Sequence, residues 1–265
     1  MEDRRGLSHL CAARSANGID SWQIDSQPTL IADPEHFPEE AWGIEDPRIT
    51  YMAELSQYAV VYTAYGHDGP GVALALTKDF IHFERYGVVM QPEDKDASLL
   101  PRRINGHWAL IHRPASVTSA NMWISYSEDL RNWGNHRMML EARLGGWWDA
   151  NKIGLSAPPV ETSLGWLVLY HGVKLNSAGA IYRLGLALFD LNAPDHCLKR
   201  GDEWVFGPAE PYEQHGDVDN VVFPCGYTLA ADRDTIHLYY GAADTSIAMA
   251  TASVKGLLEW LSKHG

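Results

Sequence analysis

The sequence predicts an all-β fold, and three observations carry that reading. Helical periodicity is nearly absent before the C-terminus. In its place stand short apolar or alternating runs rich in β-branched and aromatic residues: Tyr58–Ala64, Val72–Leu76, Trp108–His112, Trp166–Tyr170, Leu184–Phe189 and Ile236–Tyr240. Turn signals punctuate them, including Asn17-Gly18, Asp68-Gly69-Pro70 and Asn105-Gly106. The exception is Val254–Leu261, whose spacing predicts a short amphipathic C-terminal helix.

A weak internal repeat turns this class into an architecture. An apolar strand is followed by a small polar residue, an acid and often an aromatic. The copies begin with His9–Ser15 before Asp20-Ser21-Trp22. Val72–Thr77 before Asp79-Phe80 and Met122–Ser127 before Asp129-Leu130 follow, with looser copies at Leu184–Asp190 and Ile247–Ala252. The spacing of about 50 to 63 residues suits a four-stranded propeller blade with long loops. Five copies predict a five-bladed β-propeller occupying residues 1–265 as a single domain. Because the first copy begins almost at Met1, the first blade is expected to be incomplete.

Composition narrows the function. The chain has 265 residues, 46% hydrophobic and 21% charged, enough for a sizeable core. Neither a membrane-spanning apolar run nor a signal-peptide pattern is found. Cys11, Cys197 and Cys225 are widely spaced and odd in number, which predicts a reducing cytoplasm rather than a disulfide framework or zinc site. The histidines form no ligand spacing of the zinc-enzyme kind, so no metal is expected. A net charge of −13 argues against nucleic acid as a partner. Any anion site must then be a local cluster of cations working against the global field. Ten tryptophans and twelve tyrosines serve packing in the plain reading and sugar stacking in the sharper one.

Polar clusters fall at blade-like intervals, as expected where propeller loops meet at a central channel. They are Glu45–Arg48, Lys95-Asp96, His112–Pro114, Asp149–Lys152, Tyr170–Gly172 and Gly241–Thr245. Taken singly, each has a structural explanation. Asp46 before Pro47 starts a turn, Arg113 and Lys152 pair with nearby acids, and His171 after an apolar run is a hydrogen-bonded core histidine.

Together these clusters coincide with an ordered set of motifs. They are Glu45–Ile49 (EDPRI), Lys95–Ala97 (KDA), His112–Pro114 (HRP), Trp147–Gly154 (WWDANKIG) and Ala157–Pro159 (APP). Tyr170–Val173 (YHGV), Tyr182–Gly185 (YRLG), Asn220–Gly226 (NVVFPCG) and Tyr239–Thr245 (YYGAADT) complete it. With them the chain resembles glycoside hydrolase family 130, the mannoside phosphorylases and related mannosidases, from residue 6 onward. The resemblance implies that Asp46 is the proton donor, acting through a sugar hydroxyl. Adjacent Glu45 would raise its pKa and Arg48 would lower it. The resemblance further implies that Lys95, Arg113, Lys152 and His171 bind phosphate, that Asp244 holds mannose hydroxyls, and that Arg48, Tyr182 and Phe223 line the sugar site. Phe223 is alternatively core, given Val221 and Val222.

Phosphate would be a co-substrate, with no cofactor. An inverting hydrolase needs a second carboxylate about 6.5–9.5 Å from the acid to activate water. A phosphorylase needs none, and in this family the hydrolase branch lacks the basic set that is intact here. The expected reaction is therefore inverting phosphorolysis of β-1,4 or β-1,2 mannosides, including mannosyl-N-acetylglucosamine, to α-mannose 1-phosphate. The alternatives are a β-mannosidase using water and a non-catalytic sugar-binding propeller. Family members usually carry some tens of residues ahead of the matched region, so a depleted sugar subsite is expected. An open blade edge is expected to pair with another chain, giving a homo-oligomer.

Overall fold

The computed structural model describes residues 3–4, 6–115, 120–177 and 179–265. It is all-β, with antiparallel sheets following one another along the chain. The short strands β1 (Ala13–Arg14) and β2 (Gln23–Ile24) form a hairpin. A first four-stranded sheet follows, made of β3 (Ile44–Met52), β4 (Gln57–Gly66), β5 (Gly69–Thr77) and β6 (Phe83–Met90). A second contains β7 (Asp94–Leu99), β8 (Trp108–Pro114), β9 (Met122–Ser127) and β10 (Gly134–Leu140). The third holds β11 (Lys152–Leu155), β12 (Val160–Thr162), β13 (Gly165–Asn176), β14 (Gly179–Phe189) and β15 (Cys197–Arg200). After the short helix α1 (Pro211–Gln214), the fourth sheet has three strands, β16 (Val222–Leu229), β17 (Thr235–Ala242) and β18 (Ser246–Ser253). Helix α2 (Val254–His264) ends the chain, its N-terminus capped by the Ser253 hydroxyl, which accepts from Gly256 N–H at 2.9 Å.

The four larger sheets are antiparallel meanders, the propeller-like element the sequence predicts, but their number corrects the expectation of five blades to four. The reason lies in what the repeat marks. Four of its five copies, the two looser ones included, fall on the third strand of a sheet: Val72–Thr77 in β5, Met122–Ser127 in β9, Leu184–Asp190 on β14 and its end, and Ile247–Ala252 in β18. The polar residue and acid after it close the turn to the next strand. Thr77 Oγ1 accepts from Phe80 N–H, and Asp79 Oδ1 from the N–H groups of Ile81 and His82. Ser127 and Asp129 repeat this arrangement. The His9–Ser15 copy has the turn chemistry too, with Asn17 Oδ1 accepting from Ile19 and Asp20 N–H. Its strand residues, however, make only an isolated bridge from Leu10 to Leu30 and the two-residue hairpin of Ala13–Arg14 with Gln23–Ile24, whose four residues are exposed.

The chain divides into two compact units, residues 1–115 with 125–136, and residues 116–124 with 137–265. The first has one apolar core around Met52, Val61, Leu74, Leu99 and Trp108, and another around Ile44, Tyr62 and Ala73. The second is built on Leu167, Leu184, Leu186, Val222, Ile236 and Leu261, so α2 serves its core. No helix among the described residues is long and apolar enough to cross a membrane.

Each large sheet also buries a carboxylate against a ring on its second long strand. Glu40 accepts from Tyr62 and pairs with Arg85; Asp149 accepts from Tyr170 at 3.0 Å and pairs with Arg200 at 2.7 Å. Glu213 accepts from Tyr240 at 2.6 Å. Burial first, then the carboxylate partner, pushes these three phenols above their ordinary pKa, so they remain donors. In the second sheet the pair is Asp94 and His112, at 2.5 Å.

Candidate active site

In the first unit the site is built at the starts of β3 and β7, where the ladder is interrupted twice in the same way. The register shifts between Glu45 and Arg48 on β3, and between Lys95 and Ser98 on β7. Within each bulge an aspartate takes a left-handed conformation, Asp46 with φ 54° and Asp96 with φ 52°. Aspartate is among the few side-chain-bearing residues that tolerate this region, and bulges of this kind re-aim side chains.

The bulges bring charges together. Lys95 Nζ lies 3.1 Å from Asp46 Oδ2 and 3.8 Å from Glu45 Oε1. Buried Asp96 lies between two arginines, accepting from Arg113 Nε at 2.7 Å and facing Arg48 at 3.7 Å. Arg48 also donates to the Asp46 carbonyl at 3.0 Å. The cation on the Asp46 carboxylate is thus Lys95, while Arg48, almost wholly buried, holds the backbone of the proposed acid. Burial alone would lower the Lys95 pKa, but the carboxylates of Asp46, Asp96 and Glu45 hold it above the ordinary lysine value. Lys95 is therefore an ammonium ion across the physiological range.

The second unit presents rings. Lys152 opens β11, where it pairs with Val173 on β13; Val173 pairs in turn with Tyr182 on β14. The Lys152 ammonium stands 5.2 Å from the centroid of the Tyr182 ring. His171, buried on β13, has its ring 5.9 Å from Tyr182 and 5.0 Å from Phe223. Phe223 is half-buried and belongs to this aromatic trio, whereas its neighbours Val221 and Val222 are buried. Tyr182 N–H donates to the Asn220 carbonyl at 3.2 Å, which ties β14 to the lead-in of β16. Asp244 is exposed in the turn after β17, three residues beyond Gly241, the partner of Phe223. Trp148 lies across β13 and β14, where only Gly172 and Gly185 leave room: a Cβ on either would come within 2.6 Å of the indole. Four predicted residues are thus gathered in each unit by contacts inside it: Asp46, Arg48, Lys95 and Arg113, and Lys152, His171, Tyr182 and Phe223.

Sequence reasoning missed Asp96 as the carboxylate shared by both arginines, and Asp94 beside it. The signal was the repetition itself, since Glu45-Asp46 and Lys95-Asp96 each place an aspartate second in a strand-opening pair. Among the described residues, no group of three or more His, Cys, Asp or Glu is placed to hold a metal ion.

Residues 7–263 match the sequence profile of the family described as β-1,4-mannooligosaccharide phosphorylase, glycoside hydrolase family 130. The chain belongs to this family. Among family 130 relatives, it is 36% identical over 254 residues to the 1,2-β-oligomannan phosphorylase of Thermoanaerobacter sp. (strain X514), covering 95% of this chain and 80% of the relative. It is 33% identical to the β-1,4-mannooligosaccharide phosphorylase of Ruminococcus albus, over 100% and 79% of the two chains. The solved structure of the β-1,2-mannobiose phosphorylase of Listeria innocua, in complex with β-1,2-mannobiose, superposes with a TM-score of 0.89 at 37% identity. That match covers 97% of this chain and 70% of the other.

Proposed function

We propose that this chain is an inverting β-mannoside phosphorylase, cleaving a terminal β-1,2- or β-1,4-linked mannoside with inorganic phosphate to give α-mannose 1-phosphate. The observation that carries the reading is the contact chain Asp46–Lys95 and Asp96–Arg113, which sets an acid and two cations in adjoining sheets of one unit. Asp46 supplies the proton for the departing sugar. Lys95 and Arg113 are the phosphate ligands of the first unit; Lys152 and His171, gathered separately in the second, keep the phosphate role that the family resemblance implies for them. Arg113 offers a planar fork to the anion, and Lys95 a point charge. Phosphate competes with Asp46 for the Lys95 ammonium, so its binding frees the Asp46 side chain from that ion pair. Tyr182, Phe223 and Asp244 serve the mannosyl unit, with Arg48 holding Asp46 from behind. The relatives named for β-1,2 and β-1,4 substrates support the mannoside class and leave both linkages in play.

The test is incubation with β-1,2- and β-1,4-mannobiose, with and without phosphate, assaying mannose 1-phosphate and free mannose. Phosphate-dependent mannose 1-phosphate is expected. Free mannose formed at the same rate without phosphate would replace this reading with hydrolysis.

A further inference from the structure

The acid–ring pair of the second sheet differs from the other three in chemistry and reach. Where those use a tyrosine, this one uses His112, and the chain of hydrogen bonds runs on. His112 Nε2 lies 2.7 Å from Ser125 Oγ, which lies 2.7 Å from Nδ1 of His136 on the exposed strand β10. Asp94, His112 and Ser125 are all buried. Asp94 as a carboxylate only accepts, so His112 donates to it from Nδ1, while its Nε2 shares a hydrogen bond with the Ser125 hydroxyl. Ser125 Oγ shares the next with His136 Nδ1. Each polar atom in the line has a partner, the condition under which a buried network fixes geometry.

The second oxygen of Asp94 meets a candidate site residue. Asp94 Oδ1 accepts the main-chain N–H of Arg113 at 3.0 Å, while the Arg113 guanidinium donates to Asp96 at 2.7 Å. Arg113 is therefore held at both ends by β7, its backbone by Asp94 and its charged head by Asp96. The shift of register between Lys95 and Ser98 leaves the ladder weakest at this point. The side-chain line from Asp94 to β9 and β10 supplies the constraint that the ladder lacks there.

We propose that Asp94, His112 and Ser125 are positioning residues for phosphate binding, a line of hydrogen bonds across β7, β8 and β9 that sets Arg113. The inference rests on the reading of Arg113 as a phosphate ligand. Its substance is geometric: Asp94 must keep an acceptor on Arg113 N–H, and His112, itself held by Ser125, must keep Asp94 in place.

Three variants separate this from a purely structural role, with inorganic phosphate titrated by calorimetry and steady-state constants measured beside it. Ser125→Ala removes the middle of the line without changing charge and is expected to weaken phosphate about fivefold to tenfold, leaving the mannoside KM within about twofold. Asp94→Ala is expected to weaken phosphate by about tenfold or more. Asp94→Asn keeps an acceptor for Arg113 and turns the His112 bond around, with Asn Nδ2 donating to Nδ1. It is expected to bind phosphate within about threefold of the wild type. Ser125→Ala that lowers Tm but leaves phosphate affinity unchanged overturns the proposal, as does Asp94→Asn as damaging as Asp94→Ala. Should Asp94→Ala fail to fold, Ser125→Ala and Asp94→Asn still decide. A wild-type chain that binds no phosphate would instead remove the phosphate reading itself, a result distinct from variants that match a phosphate-binding parent.

Discussion

The two units gather their candidate residues by opposite means. In the first, three carboxylates (Glu45, Asp46, Asp96) pair with three cations, Lys95 with Glu45 and Asp46, and Arg48 and Arg113 with Asp96. In the second, Lys152 and His171 sit among the rings of Tyr182 and Phe223. The difference follows from the cost of burial. An arginine as buried as Arg48 or Arg113 needs a hydrogen-bonded counter-charge, because an unpaired buried charge is expensive. Each of these cations already faces a carboxylate, so an incoming anion gains by exchanging partners with one rather than by meeting free positive charge. The rings need no such balance, and under the proposed function they orient a sugar by its apolar faces. Damage to the first region should then change proton transfer and phosphate use, and loss of a ring from the second should change sugar use.

The largest expected effect tests the charged region. Asp46→Asn keeps the size of the side chain and removes the proton donor, so turnover should fall by about 10²–10⁴-fold. Tm should change little, because Asp46 is partly exposed and the arginine behind it bonds its carbonyl. Turnover that survives would show that the proton comes from elsewhere. Next comes Arg113→Ala, which removes a charge-assisted contact worth about 1.5–3 kcal/mol and should raise the phosphate KM roughly 10–100-fold. The mannoside KM should move far less, and an equal change in both would blur the division of labour. Phe223→Ala is the converse. Losing one ring from the trio should cost about 0.5–1.5 kcal/mol, seen as a few-fold to tenfold higher mannoside KM at unchanged phosphate KM.

How much of this was legible in the sequence depends on burial. The six runs read as strands all lie within strands, and those from Trp108–His112, Trp166–Tyr170 and Leu184–Phe189 are buried throughout. Outer strands left almost no trace: in Gly134–Leu140 only Met139 and Leu140 are buried, so no apolar pattern marks it. The blade count failed because the repeat records third strands and their turns, and a turn motif persists where the sheet around it does not. At the site, the ends of the motifs were readable as residue types, but their partners were not. Asp96 is bonded to Arg113 across a ladder and faces Arg48 from another sheet, a relation between distant segments that no spacing along the chain encodes. The assignment of Lys95 rather than Arg48 to the Asp46 carboxylate has the same origin.

The smallest expected effect concerns a feature that both units share, and so tests whether they differ only at the site. Turn aspartates whose oxygens accept main-chain N–H groups occur in each: Asp79 and Asp129 in the first, Asp232 in the second. In Asp232 the bonds from Thr235 N–H, the Thr235 hydroxyl and Asp234 N–H hold the carboxyl down at about 2. Asp79, through His82 foremost, and Asp129, through Asn132 foremost, are lowered likewise. The sign follows from linkage. A carboxyl lowered on folding contributes stability that is fully present above its unfolded value of about 3.9 and is lost as pH falls through the folded value. Urea midpoints should therefore drop from about pH 4 down to about pH 2, and Asp232→Asn should flatten that slope because the variant has no proton to gain there. The same flattening is expected for Asp129→Asn. A slope unchanged in either variant would mean that these turns stay intact when denaturant unfolds the rest, since a group with the same pKa in both states contributes nothing to the pH dependence.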